Sequence, residues 1–82
     1  EFVELNKLFS FFPNPAKNSI TIESSEINYR LSLFDMLGNE VRTWKNLNNN
    51  TQIDISNLKS GVYLIKFNSE TTHITKRIII SK

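Results

Sequence analysis

His73 is the only imidazole among 82 residues, and no cysteine accompanies it. A zinc centre is built from several imidazole, thiolate or carboxylate ligands at close spacing. His73 stands in the Thr-rich stretch Thr71-Thr72-His73 and lacks the partners to complete such a set, so it reads as a solvent-facing residue at a hairpin end. Serines and aspartates are plentiful, but a nucleophile-base-orienter order cannot be assembled around that one histidine. Asp35, Asn39 and Glu40 bring oxygens to a glycine turn. A calcium loop needs more carboxylates at regular spacing, so turn formation and edge polarity explain these residues better. Trp44 with Tyr29 offers aromatic faces of the kind that stack on sugars, although packing in or beside a core is the more economical reading. With no nucleophile, base or metal cluster, no catalysis and no cofactor are expected.

What remains is a chain whose elements must be read for shape. Eighty-two residues carry enough apolar surface for one core and not for two, and 39% hydrophobic with 22% charged residues is an ordinary globular balance. At roughly 0.05–0.15 kcal/mol per residue, total stability is on the order of 4–12 kcal/mol. Ten Lys and Arg are scattered among eight acids for a net charge of +2, which lacks the basic stripe of a nucleic-acid binder. The longest uninterrupted apolar run, Ile78 to Ile80, is far below the roughly 20 residues of a spanning helix. With no initiator Met and no signal peptide, the chain is expected to be a piece of a longer precursor.

Apolar residues recur at period two: Ile20 and Ile22; Tyr29, Leu31 and Leu33; Tyr63, Ile65 and Phe67; Ile74, Ile78 and Ile80. The runs are rich in β-branched and aromatic residues and are separated by Asn, Ser and Gly clusters. The pattern predicts an all-β, immunoglobulin-like sandwich of about seven strands, over Leu8–Phe12, Ser19–Ser24, Tyr29–Asp35, Glu40–Lys45, Gln52–Asp54, Gly61–Asn68 and Thr71–Ile80. Pro13 and Pro15 remove two backbone donors and exclude a ladder, so the chain must leave one sheet there. Gly38 supplies the positive φ of a hairpin turn, and the Asn-rich Asn46–Thr51 stretch is a loop whose side chains satisfy turn backbone locally. Near Ser56–Gly61, Leu58 is expected in the core, Gly61 to turn the chain, and Tyr63 to open the next strand in a tyrosine corner. Core burial of Leu58 would make Leu58→Ala cost about 2–5 kcal/mol.

Phe12-Pro13-Asn14-Pro15, Leu33-Phe34-Asp35, Gly38-Asn39-Glu40-Val41, Leu58-Lys59-Ser60-Gly61-Val62-Tyr63-Leu64 and Thr75-Lys76-Arg77-Ile78-Ile79-Ile80-Ser81-Lys82 follow one another across nearly the whole chain. In kind and order these blocks resemble the C-terminal sorting domain of proteins exported by the type IX secretion system. The resemblance maps the Pro-Asn-Pro block to Pro13, Asn14 and Pro15 and the glycine turn to Gly38. It maps the Leu-x-x-Gly-x-Tyr block to Leu58, Gly61 and Tyr63, and the basic-flanked last strand to Lys76, Arg77, Ile78, Ile79, Ile80 and Lys82. It implies a single sorting domain over 1–82 whose first eight residues are a linker or cleavage-proximal segment, with Lys82 the precursor's natural C-terminus.

The implied function is to carry a covalently fused upstream cargo from the periplasm across the outer membrane, to the surface or the medium. The implied partners are the translocon or its outer-membrane shuttle and a sortase-like peptidase, which removes the domain. Residues 1–10 hold no recognisable cut motif. Strand addition at an exposed edge of the β-prone Lys76–Lys82 segment is one mode by which a partner could read it. The alternative is an immunoglobulin-like accessory module that binds carbohydrate or another domain, and it would show an exposed aromatic patch at Trp44 and Tyr29.

Overall fold

The computed structural model describes residues 9–82. Seven strands follow one another: β1 (Ser10–Phe12), β2 (Ser19–Glu23), β3 (Tyr29–Asp35), β4 (Glu40–Leu47), β5 (Thr51–Asp54), β6 (Gly61–Asn68) and β7 (His73–Ile80). They form two antiparallel sheets, one ordered β1-β2-β5 and the other β4-β3-β6-β7. The expected strands therefore form, with small shifts at their ends. β7 starts two residues later than expected and β4 runs to Leu47, while the expected start of the first strand, Leu8, lies outside the described residues.

Period-two patterning becomes a core because alternate side chains of each strand face one way. Ile20, Ile22 and Ile53 come from the smaller sheet, and Tyr29, Leu31, Leu33, Tyr63, Ile65, Phe67, Ile74, Ile78 and Ile80 from the larger, and they form one buried cluster. A core shared by both sheets makes the pair a sandwich. Tyr29 is fully buried and donates its hydroxyl hydrogen to Asn49 O at 2.6 Å, while Trp44 is half-buried against the core. The aromatic patch of the accessory-module reading does not form.

Turn chemistry is partly local and partly not. Between β3 and β4, Gly38 takes φ +93°, and Asp35 Oδ1 accepts from the amides of Leu37 and Asn39 at 3.0 and 2.9 Å. In the Asn46–Thr51 stretch Asn46 and Asn49 take positive φ, 59° and 54°, and serve the turn locally, whereas Asn48 and Asn50 act at a distance. Asn48 Oδ1 accepts from the Asn28 amide at 2.8 Å and Asn50 Oδ1 from the Ser24 amide at 3.0 Å, so they satisfy the β2–β3 connection, not their own turn.

The Asn39 amide is the largest influence holding the Asp35 carboxyl below the usual carboxylate range; partial desolvation opposes it, and the Asn39 side chain and the amides of Leu37 and Gly38 add to the lowering. A lowered folded value means that the stabilisation is complete above the unfolded value near ~4 and is lost as the pH falls through the folded one. Acid titration followed by NMR should therefore move the Leu37 and Asn39 amides together with the Asp35 carboxyl, at a midpoint below ~3.9. A midpoint at or above that value would remove the clasp from the account of this turn.

Candidate functional site

The residues named by motif collect at one end of the four-stranded sheet. Asp35, just before the Gly38 turn, pairs with Tyr63, and Tyr63 pairs with Ile78. Gly61 pairs with Ile80. The glycine turn, the Tyr63 corner and the last residues of β7 thus share that end.

Tyr63 forms the corner. Its ring is nearly buried and its hydroxyl donates to Lys59 O at 2.7 Å, four residues upstream, as in the tyrosine corner of immunoglobulin-like sandwiches. Two expectations about its neighbours need correction. Gly61 is the first residue of β6 without a positive φ, so it does not turn the chain. A Cβ there would meet the Tyr63 ring at 3.6 Å, an ordinary contact. Leu58 is half-buried at the margin of the core and not inside it, on a turn in which its amide donates to Ile55 O at 3.0 Å. Leu58→Ala is therefore expected to cost about 1 kcal/mol, roughly half the transfer value of a fully buried leucine.

The two glycines should separate cleanly. Gly61→Ala is expected to leave stability unchanged or raise it by up to about 1 kcal/mol, through the unfolded chain. Gly38→Ala has open space for its Cβ but places alanine at positive φ, which costs about 1–2 kcal/mol. Urea midpoints of the two variants check this, and equal losses would contradict the assignment of the turn to Gly38 alone.

β7 alternates strictly. Ile74, Ile78 and Ile80 are buried, while Arg77 and Ile79 lie on the outer face, where Ile79 pairs with exposed Val62. Lys76 shares the inward register but reaches across the open side of the sandwich, donating to Phe9 O at 3.3 Å with its ammonium 5.5 Å from the Phe9 ring centroid. Lys82 is tied down more firmly. Its ammonium donates to Lys17 O, Ile55 O and Ser56 O at 2.6, 3.2 and 3.1 Å, and its amide donates to Ser60 Oγ at 2.9 Å. Three converging carbonyl dipoles suit an ammonium, which has three N–H donors and no acceptor.

Pro13, Asn14 and Pro15 cross from β1 to the outer edge of β7. The Ile79 amide donates to Asn14 Oδ1 at 3.0 Å and Asn14 Nδ2 to Arg77 O at 3.5 Å. The Ala16 amide then donates to Ile79 O and the Ser81 amide to Ala16 O, each at 2.8 Å, in a parallel bridge of Ala16 with Ile80. This corrects the expectation of an exposed last edge: from Arg77 to Ser81 the edge is covered, and Lys82 is held. Sequence reasoning named Asn14 but missed its reach, and it missed Ala16, whose signal is a small apolar residue directly after the second proline. Phe9 falls within the expected Leu8–Phe12 strand, but its burial was not named, although Phe9 and Phe11 continue the period-two pattern upstream of the first proline.

Residues 10–81 match the family model described as the secretion system C-terminal sorting domain, a span that takes in all seven strands. The chain belongs to this family. Sorting domains of this kind are the C-terminal signals by which the type IX secretion system exports proteins to the cell surface or beyond. An endo-acting ulvan lyase of Formosa agariphila is 36% identical over 75 residues, covering 87% of this chain and 14% of that relative. The chain thus spans a small fraction of the relative's length, as expected of a sorting domain carried by a larger protein. No described helix is long and apolar enough to cross a membrane.

Proposed function

We propose that residues 1–82 act as one sorting unit, appended to an upstream cargo that passes through the periplasm, is handed to the type IX translocon or its outer-membrane shuttle, and is freed by a sortase-like peptidase. The family match from 10 to 81 carries this reading. The modest share of the ulvan lyase that the chain matches supports a covalently attached cargo. Nothing catalytic is assigned to the sorting unit itself. Pro13–Pro15, Gly38, Leu58 and Tyr63 act through the fold, and Lys76–Lys82 form the element a partner reads, with Arg77 and Ile79 its outward side chains.

Fusing residues 1–82 behind a periplasm-directed fluorescent protein tests the reading, in a bacterium with a type IX system and in a secretion-deficient strain. Fluorescence at the surface or in the medium of the competent strain alone is the expected result. A folded fusion retained in the periplasm of both strains would overturn it.

A further inference from the structure

The covered edge bears directly on how the last strand is read, and this inference rests on the sorting-signal reading above. We propose that Asn14–Ala16 is a removable guard over the outer edge of β7, and that a partner reading the last strand by β-strand addition must first displace it. Four main-chain groups at this edge, Arg77 O, Ile79 N, Ile79 O and Ser81 N, are met by the Asn14 side chain and the Ala16 backbone. An extended segment running parallel to β7 would offer the same donors and acceptors from its own main chain, as strand addition requires. The guard cannot itself extend the sheet. Pro13 and Pro15 carry no N–H, and prolines at an edge block further pairing.

The guard is also weakly rooted compared with the strand it covers. Pro13, Asn14 and Pro15 are exposed, and Ala16 alone buries a side chain, a small one. β7 by contrast sinks Ile74, Ile78 and Ile80 into the core and pairs with β6 along its whole length. Lifting the guard therefore leaves the sandwich intact, and local opening of this kind is separable from global unfolding. Because Lys17 O is one of the carbonyls holding the Lys82 ammonium, displacement of the guard also loosens Lys82 and so frees the end of the strand to be engaged.

Two measurements test this. In hydrogen exchange of residues 1–82, Asn14→Ala is expected to speed the Ile79 amide about tenfold or more while the Ile65 and Phe67 amides keep their protection. No change at Ile79, or a rise at all three together, would overturn the guard as a separable clasp. The second measurement locks it. Ala16 and Ile80 are bridge partners in a chain without cysteine, so Ala16→Cys with Ile80→Cys places one disulfide across the contact in the oxidising periplasm.

The folded, oxidised double variant in the fluorescent fusion is expected to be retained about tenfold over the two single-cysteine controls, an effect of the size produced by 1.4 kcal/mol. Export of the locked form at the level of the controls would overturn the proposal. Should Ile80→Cys alone unfold the chain, export of the Asn14→Ala fusion decides instead. Export at or above the unsubstituted level is expected, and a fall with the fold intact would make Asn14 itself the contact that is read. If the unsubstituted fusion is not exported at all, it is the sorting reading that fails, and the exchange result stands apart from it.

Discussion

Removing residues 78–82 is expected to abolish the cooperative unfolding transition, so that the shortened chain is unfolded before any partner can inspect it. Ile78 and Ile80 are 0% and 1% exposed. Emptying buried isoleucine positions costs about 2–5 kcal/mol each, and the two together approach a total stability on the order of 4–12 kcal/mol. The same deletion strips the Lys82 ammonium from its three carbonyls and the Ser81 amide from Ala16 O. Circular dichroism across a thermal ramp checks the expectation; a sigmoidal melt within a few degrees of the full chain's would refute it. The consequence for export is practical. A deletion that abolishes secretion reports on folding, and recognition has to be probed at Arg77→Ala and Ile79→Ala, which change the outward face of β7 and leave its core face whole.

That distinction could not be drawn from the sequence, although much of the fold could. The strands were legible because period-two burial and turn chemistry act within a few residues: Ile20 and Ile22 do face the core, Gly38 does sit at positive φ, and the Tyr63 hydroxyl does reach back to Lys59. What escaped was decided by groups distant in sequence. The Asn14 side chain meets backbone 63 and 65 residues away, and the Asn48 and Asn50 side chains satisfy a connection 20 and 26 residues upstream. An amide side chain carries both donor and acceptor, so composition alone cannot say which loop it will serve. Gly61 was misread for the opposite reason: a glycine beside a corner suggests a turn, yet here it precedes a tyrosine whose ring packs over it.

The unit that folds also begins earlier than the motifs suggest, and Phe9→Ala should show it. Phe9 is fully buried, with its ring stacked on Phe67 at 4.7 Å between centroids and 5.8 Å from Phe11. Phe67 in turn packs on Tyr29 at 4.7 Å, so Phe9 extends an aromatic column through the sandwich. Truncation of a buried phenylalanine costs about 3–5 kcal/mol, and aromatic pairing adds to plain burial by about 0.5–1.5 kcal/mol. A loss of that size in urea unfolding, with the slope unchanged, is the expected result. Phe12→Ala, at a side chain 48% exposed, should stay near the ~0.5 kcal/mol of an ordinary surface change. Comparable losses would mean that the column does not anchor the start of the domain. Phe9 precedes the family match by one residue, and Lys76 of the last strand holds its carbonyl. A peptidase that frees cargo and leaves the tail folded must therefore cut before Phe9, so N-terminal sequencing of a folded released tail should find Phe9 retained. A folded product beginning at Ser10 or later would contradict the anchor.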